Sequence, residues 1–151
     1  MLSNEESVSV LNDLIEISKD GEEGFLKSAE DITDQKIKAY LIRKSAEVKR
    51  SIFELQGLVR KLGGKPADST SVAGYLHRKW IELKTAIVEN DNLAILNELE
   101  RGEDVALRAY RKASIKDLPP DVSQVVLSQL TGVQRNHDEV KQMRDALQTV
   151  N

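Results

Sequence analysis

The sequence predicts an all-α protein: four long helices packed antiparallel as one bundle, with a short extra helix in the crossover between helices 2 and 3. Three observations point there. Apolar residues recur at the helical period of about 3.6 through most of the chain. No stretch alternates apolar and polar residues for more than a few positions, as a half-buried strand would. The breaks between periodic segments are short and carry the chemistry that stops and starts helices. The chain has 151 residues, the length of a single domain spanning 1–151. A domain of that size can bury roughly two-thirds of its unfolded surface, so one real core is within reach.

The first helix is expected from about Ser3 to Asp31. Ser3 and Glu6 have the spacing of a capping box, in which each side chain satisfies a free backbone donor at the helix start. Val8, Leu11, Ile15, Phe25 and Ala29 mark its apolar face, which Ser18 and Glu22 share. Thr33 or Asp34 can cap the second helix, which runs to about Leu62. Gly63-Gly64 stops it, because glycine accepts the left-handed conformation. Ile37, Leu41, Val48, Leu55 and Leu62 form its apolar line, Lys44 and Ser51 interrupt it, and Glu47 and Glu54 sit on its shoulder.

Gly63 to Ser71 reads as a linker, with a proline and several small residues. A shorter amphipathic helix follows from about Val72 to Val88, its buried face built on Leu76, Trp80, Leu83 and Ile87. Linker and short helix together can run back along a bundle, the crossover found in ferritin-like folds. Asn90-Asp91-Asn92 then breaks the chain and caps the third long helix, Asn92 to Ser114. Leu96, Leu99, Ala106, Tyr110 and Ala113 share one face of it, with Glu103 in their midst. The last helix begins at Pro120, where a missing backbone donor is harmless, and runs to about Gln148. Val122, Val126, Val133, Val140 and Leu147 form its core line, with Gln129 and Asn136 among them and His137 on the shoulder.

Composition narrows the function. Hydrophobic residues are 40% and charged residues 31%, while aromatics are only 4%, so the core is mostly aliphatic. The formal net charge is -3, which leaves no positive surplus to hold phosphates and argues against nucleic acid as a partner. With no cysteine, disulfides, thiolate metal sites and cysteine nucleophiles are excluded. The start of the chain is acidic and polar, unlike a secretory signal. No apolar run approaches the roughly 20 residues that cross a bilayer. The expectation is a cytoplasmic protein with no membrane partner.

The polar residues on core lines are the functional candidates. An acid on an apolar stripe needs a partner, a proton or a metal. A di-metal site of the ferritin type takes one Glu from each of two helices and a Glu-x-x-His pair from each of the other two. This chain has no Glu-x-x-His; Gln134 stands three residues before His137 and Gly74 three before His77. Counting residues from the turns puts Glu22 opposite Lys44, and Glu103 opposite Gln129 to Thr131 and near Ser51. That separates the two acids by about 10 Å in height. Two readings follow. In one, Glu22 pairs with Lys44, and Glu103 accepts a hydrogen bond from Gln129 or a tyrosine. In the other, a reduced metal site uses Glu103 with Glu22, Glu47 or Glu54 and with His137, and binds iron or another divalent ion. The basic and aromatic run Leu76 to Trp80 offers a third, a partner-binding surface on the short helix. No Gly-rich phosphate loop follows a strand, and neither histidine has a nucleophile at a diagnostic spacing.

Taken in order, several short matches make the chain resemble a known family. They are Leu11-Asn12-Asp13-Leu14-Ile15, Asp20 with Gly24-Phe25, Glu54-Leu55, and Leu62-Gly63-Gly64. They continue with His77-Arg78-Lys79-Trp80 and Lys84, Gly102-Glu103-Asp104 with Tyr110, Leu118-Pro119, and His137-Asp138. The chain resembles a bacterial family of ferritin-like four-helix-bundle proteins classed as a domain of unknown function. The resemblance implies the crossover topology and brings in the wider ferritin-like group of iron oxidases, iron stores and stress proteins. It also implies that Glu103, with Glu54 and His137, is where inherited ligands would stand. The expected function is that of a small non-enzymatic bundle protein, with a stress role and a homo-oligomeric state both open to it.

Overall fold

A computed structural model describes residues 1–68 and 91–150. The short helix expected over Val72 to Val88, with His77 and Trp80, lies outside the described residues. Four long helices account for nearly all of the rest: α1 (Asn4–Asp31), α2 (Gln35–Lys61), α3 (Asn92–Ser114) and α4 (Pro120–Val150).

Their ends follow local chemistry. Ser3 caps α1 in a full capping box: its hydroxyl accepts from the Glu6 amide at 3.1 Å, and the Glu6 carboxylate accepts from the Ser3 amide at 3.0 Å. Asp34, rather than Thr33, caps α2 and accepts from the amides of Lys36 and Ile37. Gly63 ends α2 in the left-handed region at φ 83°. Gly64 follows in direct contact with α1, where a Cβ would lie 2.7 Å from both methyls of Val8. Asp91 caps α3 through the amide of Ala94.

Contacts at the two ends set the topology. Asn92, at the start of α3, accepts from the Thr33 amide at 3.0 Å and donates to the Thr33 hydroxyl at 2.9 Å, so α3 begins beside the α1–α2 turn. At the other end the Leu2 amide donates to the Asp117 carbonyl, and Lys61 pairs with Asp121 at 2.9 Å. Helices α1 and α4 therefore run one way, α2 and α3 the other. The chain leaves α2 at one end of the bundle and begins α3 at the opposite end, which is the expected crossover. Its first residues lie over α1: Asn12 accepts from the Ala67 amide at 2.8 Å, and Lys19 donates to the Ala67 carbonyl.

The interior is divided into two apolar clusters. One, near the α3–α4 turn, gathers Leu11, Leu14, Ile15, Leu55, Val59, Val122 and Val126. The other, near the α1–α2 turn, gathers Phe25, Leu41, Leu96, Leu99 and Val140. Between them on every helix stand buried polar residues: Ser18 on α1, Lys44 and Ser45 on α2, Glu103 on α3, and Gln129 and Asn136 on α4. On α3 the buried face carries Leu107 where Ala106 was expected, because Leu107 continues the spacing of Leu99 and Glu103 inward. Among the described residues no helix is long and apolar enough to cross a membrane.

Candidate functional site

The polar belt is where chemistry can reside, and it is organised in two layers. The first is built around Lys44, whose side chain is 7% exposed. Its ammonium donates to Glu47 at 3.1 Å and lies 3.5 Å from Glu139 of α4. It also stands over the Tyr40 ring at 5.3 Å, and the Tyr40 hydroxyl donates to Glu139 at 3.1 Å. A buried ammonium needs such neighbours, since desolvation alone would favour its neutral form. Burial and Glu139 in turn push the Tyr40 hydroxyl well above the usual phenol range.

Glu103 belongs to the same layer. It is 7% exposed, and loss of water pushes its carboxyl up to about 8, with a smaller push from the Asp104 charge and an opposing pull from Lys44. At neutral pH it is mainly protonated. The turn count had put Glu103 near Ser51, but it feels Lys44 instead. The reason is that α3 starts level with Thr33, so Lys44 and Glu103 each lie about eleven residues down their helices from that junction. The expected pair of Glu22 with Lys44 does not form, because Lys44 finds its acids on its own helix and on α4. Glu22 is half-buried and makes no hydrogen bond or ion pair among the described residues.

The second layer is a chain of hydrogen bonds across all four helices. Ser18 of α1 lies 3.1 Å from the Tyr110 hydroxyl, which donates to Gln129 Oε1 at 2.8 Å. Gln129 then donates to the Ser51 carbonyl at 3.2 Å and to Glu54 at 2.8 Å. Burial raises the Tyr110 hydroxyl to about 12, so it remains a donor at any ordinary pH. Neither Gln129 nor a tyrosine donates to Glu103, contrary to expectation, because both amide and phenol hydrogens are directed within this layer and to Glu139.

His137 stands apart, on the α3–α4 edge. Its Nε2 shares a 2.5 Å hydrogen bond with Asp104 and lies 4.0 Å from Glu100, while Nδ1 is 3.3 Å from Asp138. Glu100 is also paired with Arg144. Sequence reading missed Asp104 and Glu100 as partners of His137, because they stand on the neighbouring helix and their four-residue spacing does not show which way that helix is rotated.

The residues proposed as metal ligands thus fall in separate settings. Glu103 is in the Lys44 layer, Glu54 is exposed at the outer end of the Gln129 chain, His137 is on Asp104, and Glu22 is in neither network. Among the described residues no three His, Asp or Glu side chains gather into a group that could hold a metal ion. The donor set does not fit a di-metal centre. An ammonium stands among the acids of one layer and would repel a dication. The other layer offers one carboxylate and no imidazole.

Where α2 and α4 touch least, the polar belt opens to the surface. The opening is a cleft of about 400 Å³ with Ser18, Tyr110 and Gln129 at its base and Arg50 and Arg135 among its lining residues. Sequence periodicity carries no sign of it, because a gap between helices is a property of their packing.

A bundle with this crossover and this polar belt invites comparison with known proteins. A family model described as "Domain of unknown function (DUF2383)" matches residues 6–116. The chain belongs to this family. Its structure is similar to a two-domain protein from Anabaena variabilis that contains DJ-1/ThiJ/PfpI-like and ferritin-like domains, with TM-score 0.79 and 11% identity. That match covers 99% of this chain and 39% of the Anabaena protein, so the chain spans well under half of that protein's length. It is also similar to a mutant of Mycobacterium smegmatis Dps1, with TM-score 0.75 and 12% identity over 93% of this chain and 96% of the other. No curated protein matches the chain. At these identities the shared property is the ferritin-like fold.

Proposed function

We propose that this DUF2383 chain is a soluble, non-enzymatic ferritin-like bundle whose core acids are neutralised from within, by a lysine and a proton, rather than by bound metal ions. The observation that carries the reading is Lys44, a buried cation contacting Glu47 and Glu139, while burial keeps Glu103 protonated against the pull of the Lys44 charge. An ammonium there supplies the positive charge that a hard dication would supply to the same carboxylates. Protonated Glu103 removes the remaining anion. The hydrogen-bond chain through Tyr110 and Gln129 is likewise complete without an external ion.

The test is elemental analysis of protein purified without chelator and then exposed to ferrous iron in air. Metal well below one ion per chain, the same in Glu103→Ala, is the expected result. About one ion or more per chain, lost in Glu103→Ala, would overturn the proposal in favour of a metal-carboxylate protein.

A further inference from the structure

The cleft between α2 and α4 combines features that the Lys44 layer does not use. Arg50 on α2 and Arg135 on α4 both line it, and neither makes an ion pair or hydrogen bond among the described residues. The two acids in the lining are already engaged, Glu47 by Lys44 and Glu54 by Gln129. Two guanidiniums without partners favour an anion, and a planar oxyanion matches their forked donors.

The interior of the cleft adds a second requirement. Asn136 lines it and is 7% exposed, yet its Oδ1 is sealed from water with no hydrogen-bond partner. Leaving a buried amide oxygen unpaired is costly. A hydroxyl of a ligand in the cleft would supply the missing donor. Val48 and Val133 are the apolar part of a lining otherwise rich in hydroxyls, amides and charges. Gly132 keeps one wall bare: a Cβ there would meet only the Arg135 guanidinium, at 3.7 Å. The volume of about 400 Å³ is far larger than a bare phosphate needs and lies within the range of small-molecule sites.

We infer that the cleft binds a small polyol carrying one oxyanion group, either a phosphate ester or a carboxylate. Arg50 and Arg135 hold the oxyanion from the two walls, and Asn136 accepts from a hydroxyl of the polyol body. The site is independent of the metal question, since none of these three residues contacts Lys44 or Glu103 through a hydrogen bond or ion pair among the described residues.

Isothermal titration of the full chain in phosphate-free buffer tests this, with ribose 5-phosphate, gluconate, ribose and inorganic phosphate as separate probes. Saturable binding of ribose 5-phosphate or gluconate is expected, with ribose and inorganic phosphate each at least about tenfold weaker. Preference for the first probe assigns the phosphate ester, preference for the second the carboxylate. Arg50→Gln and Arg135→Gln, both at exposed positions where folding is not at stake, should each weaken binding about tenfold or more. Gly132→Leu should block the cleft, with circular dichroism confirming the fold. No saturable binding of either polyol anion overturns the inference. So does binding that both arginine variants leave unchanged, or inorganic phosphate binding as tightly as ribose 5-phosphate.

Discussion

Replacing Glu103 with glutamine should change how stability depends on pH, and the size of the change follows from its burial. In the unfolded chain the carboxyl ionises near 4.5, and in the folded protein near 8. Between those values the folded state holds a proton that the unfolded state has released. The stability this contributes is fully present below about pH 4.5 and is lost as pH rises to about 8. The slope is at most about 1.4 kcal/mol per pH unit, or roughly 2–3 kcal/mol between pH 5.5 and 7.5. For a domain of this size that corresponds to roughly 5 °C or more in Tm. Burial sets most of the value, the charge of Asp104 on α3 itself adds to it, and Lys44 on α2 opposes both. Glutamine keeps the shape and cannot ionise. Urea unfolding of both proteins at pH 5.5, 6.5 and 7.5 should show Glu103→Gln gaining steadily on the parent as pH rises. Parallel stability curves for the two proteins would refute the account, because they would mean that Glu103 is not protonated in the folded state.

Other perturbations follow from the same layers. Lys44→Met removes the cation between Glu47 and Glu139 and should cost about 1 kcal/mol in urea unfolding at pH 7, since both acids are a third or more exposed and water screens what is lost. Tyr110→Phe leaves Ser18 and Gln129 Oε1 without their shared hydroxyl and should cost about 1–3 kcal/mol, with Ser18→Ala at the low end of that range or below. Gly64→Ala places a methyl 2.7 Å from both Val8 methyls and 3.2 Å from Val59, and should lower stability by about 1–3 kcal/mol, of which Val8→Ala restores a part by relieving the closer contact.

Helix boundaries and direction were legible because they depend on residues adjacent in sequence. Ser3 with Glu6, Asp34, Gly63 and Asp91 act on amides within a few positions, and α3 spans the residues its pattern indicates. The burial of Glu103, Lys44, Gln129 and Asn136 was legible for the same reason, since each falls on a helical stripe. Which of them meet was not. Pairing depends on the height at which each helix begins. Counting Glu103 from the α3–α4 turn puts it a turn or more away from Lys44, whereas the Asn92–Thr33 contact at the opposite end sets the true register. His137 was recognised as lying on a shoulder, but its partner Asp104 sits on the neighbouring helix and needed that helix's rotation to be known. The cleft could not be read at all, because it arises where two faces fail to close.

The crossover has a consequence for how the chain assembles. Helices α1 and α2 form one hairpin and α3 and α4 another, each closed by a turn of a few residues. Short loops cost little entropy to close, so each hairpin can form from contacts local to itself. The two hairpins then meet along α1 and α3, with the α2–α4 seam contributing far less. Joining them must also bring together residues far apart in sequence, such as Ser18 with Tyr110 and Tyr40 with Glu139. The contacts between the two hairpins are thus the long-range part of the bundle. The polar belt lies on that boundary, since its hydrogen bonds and ion pairs cross from one hairpin to the other.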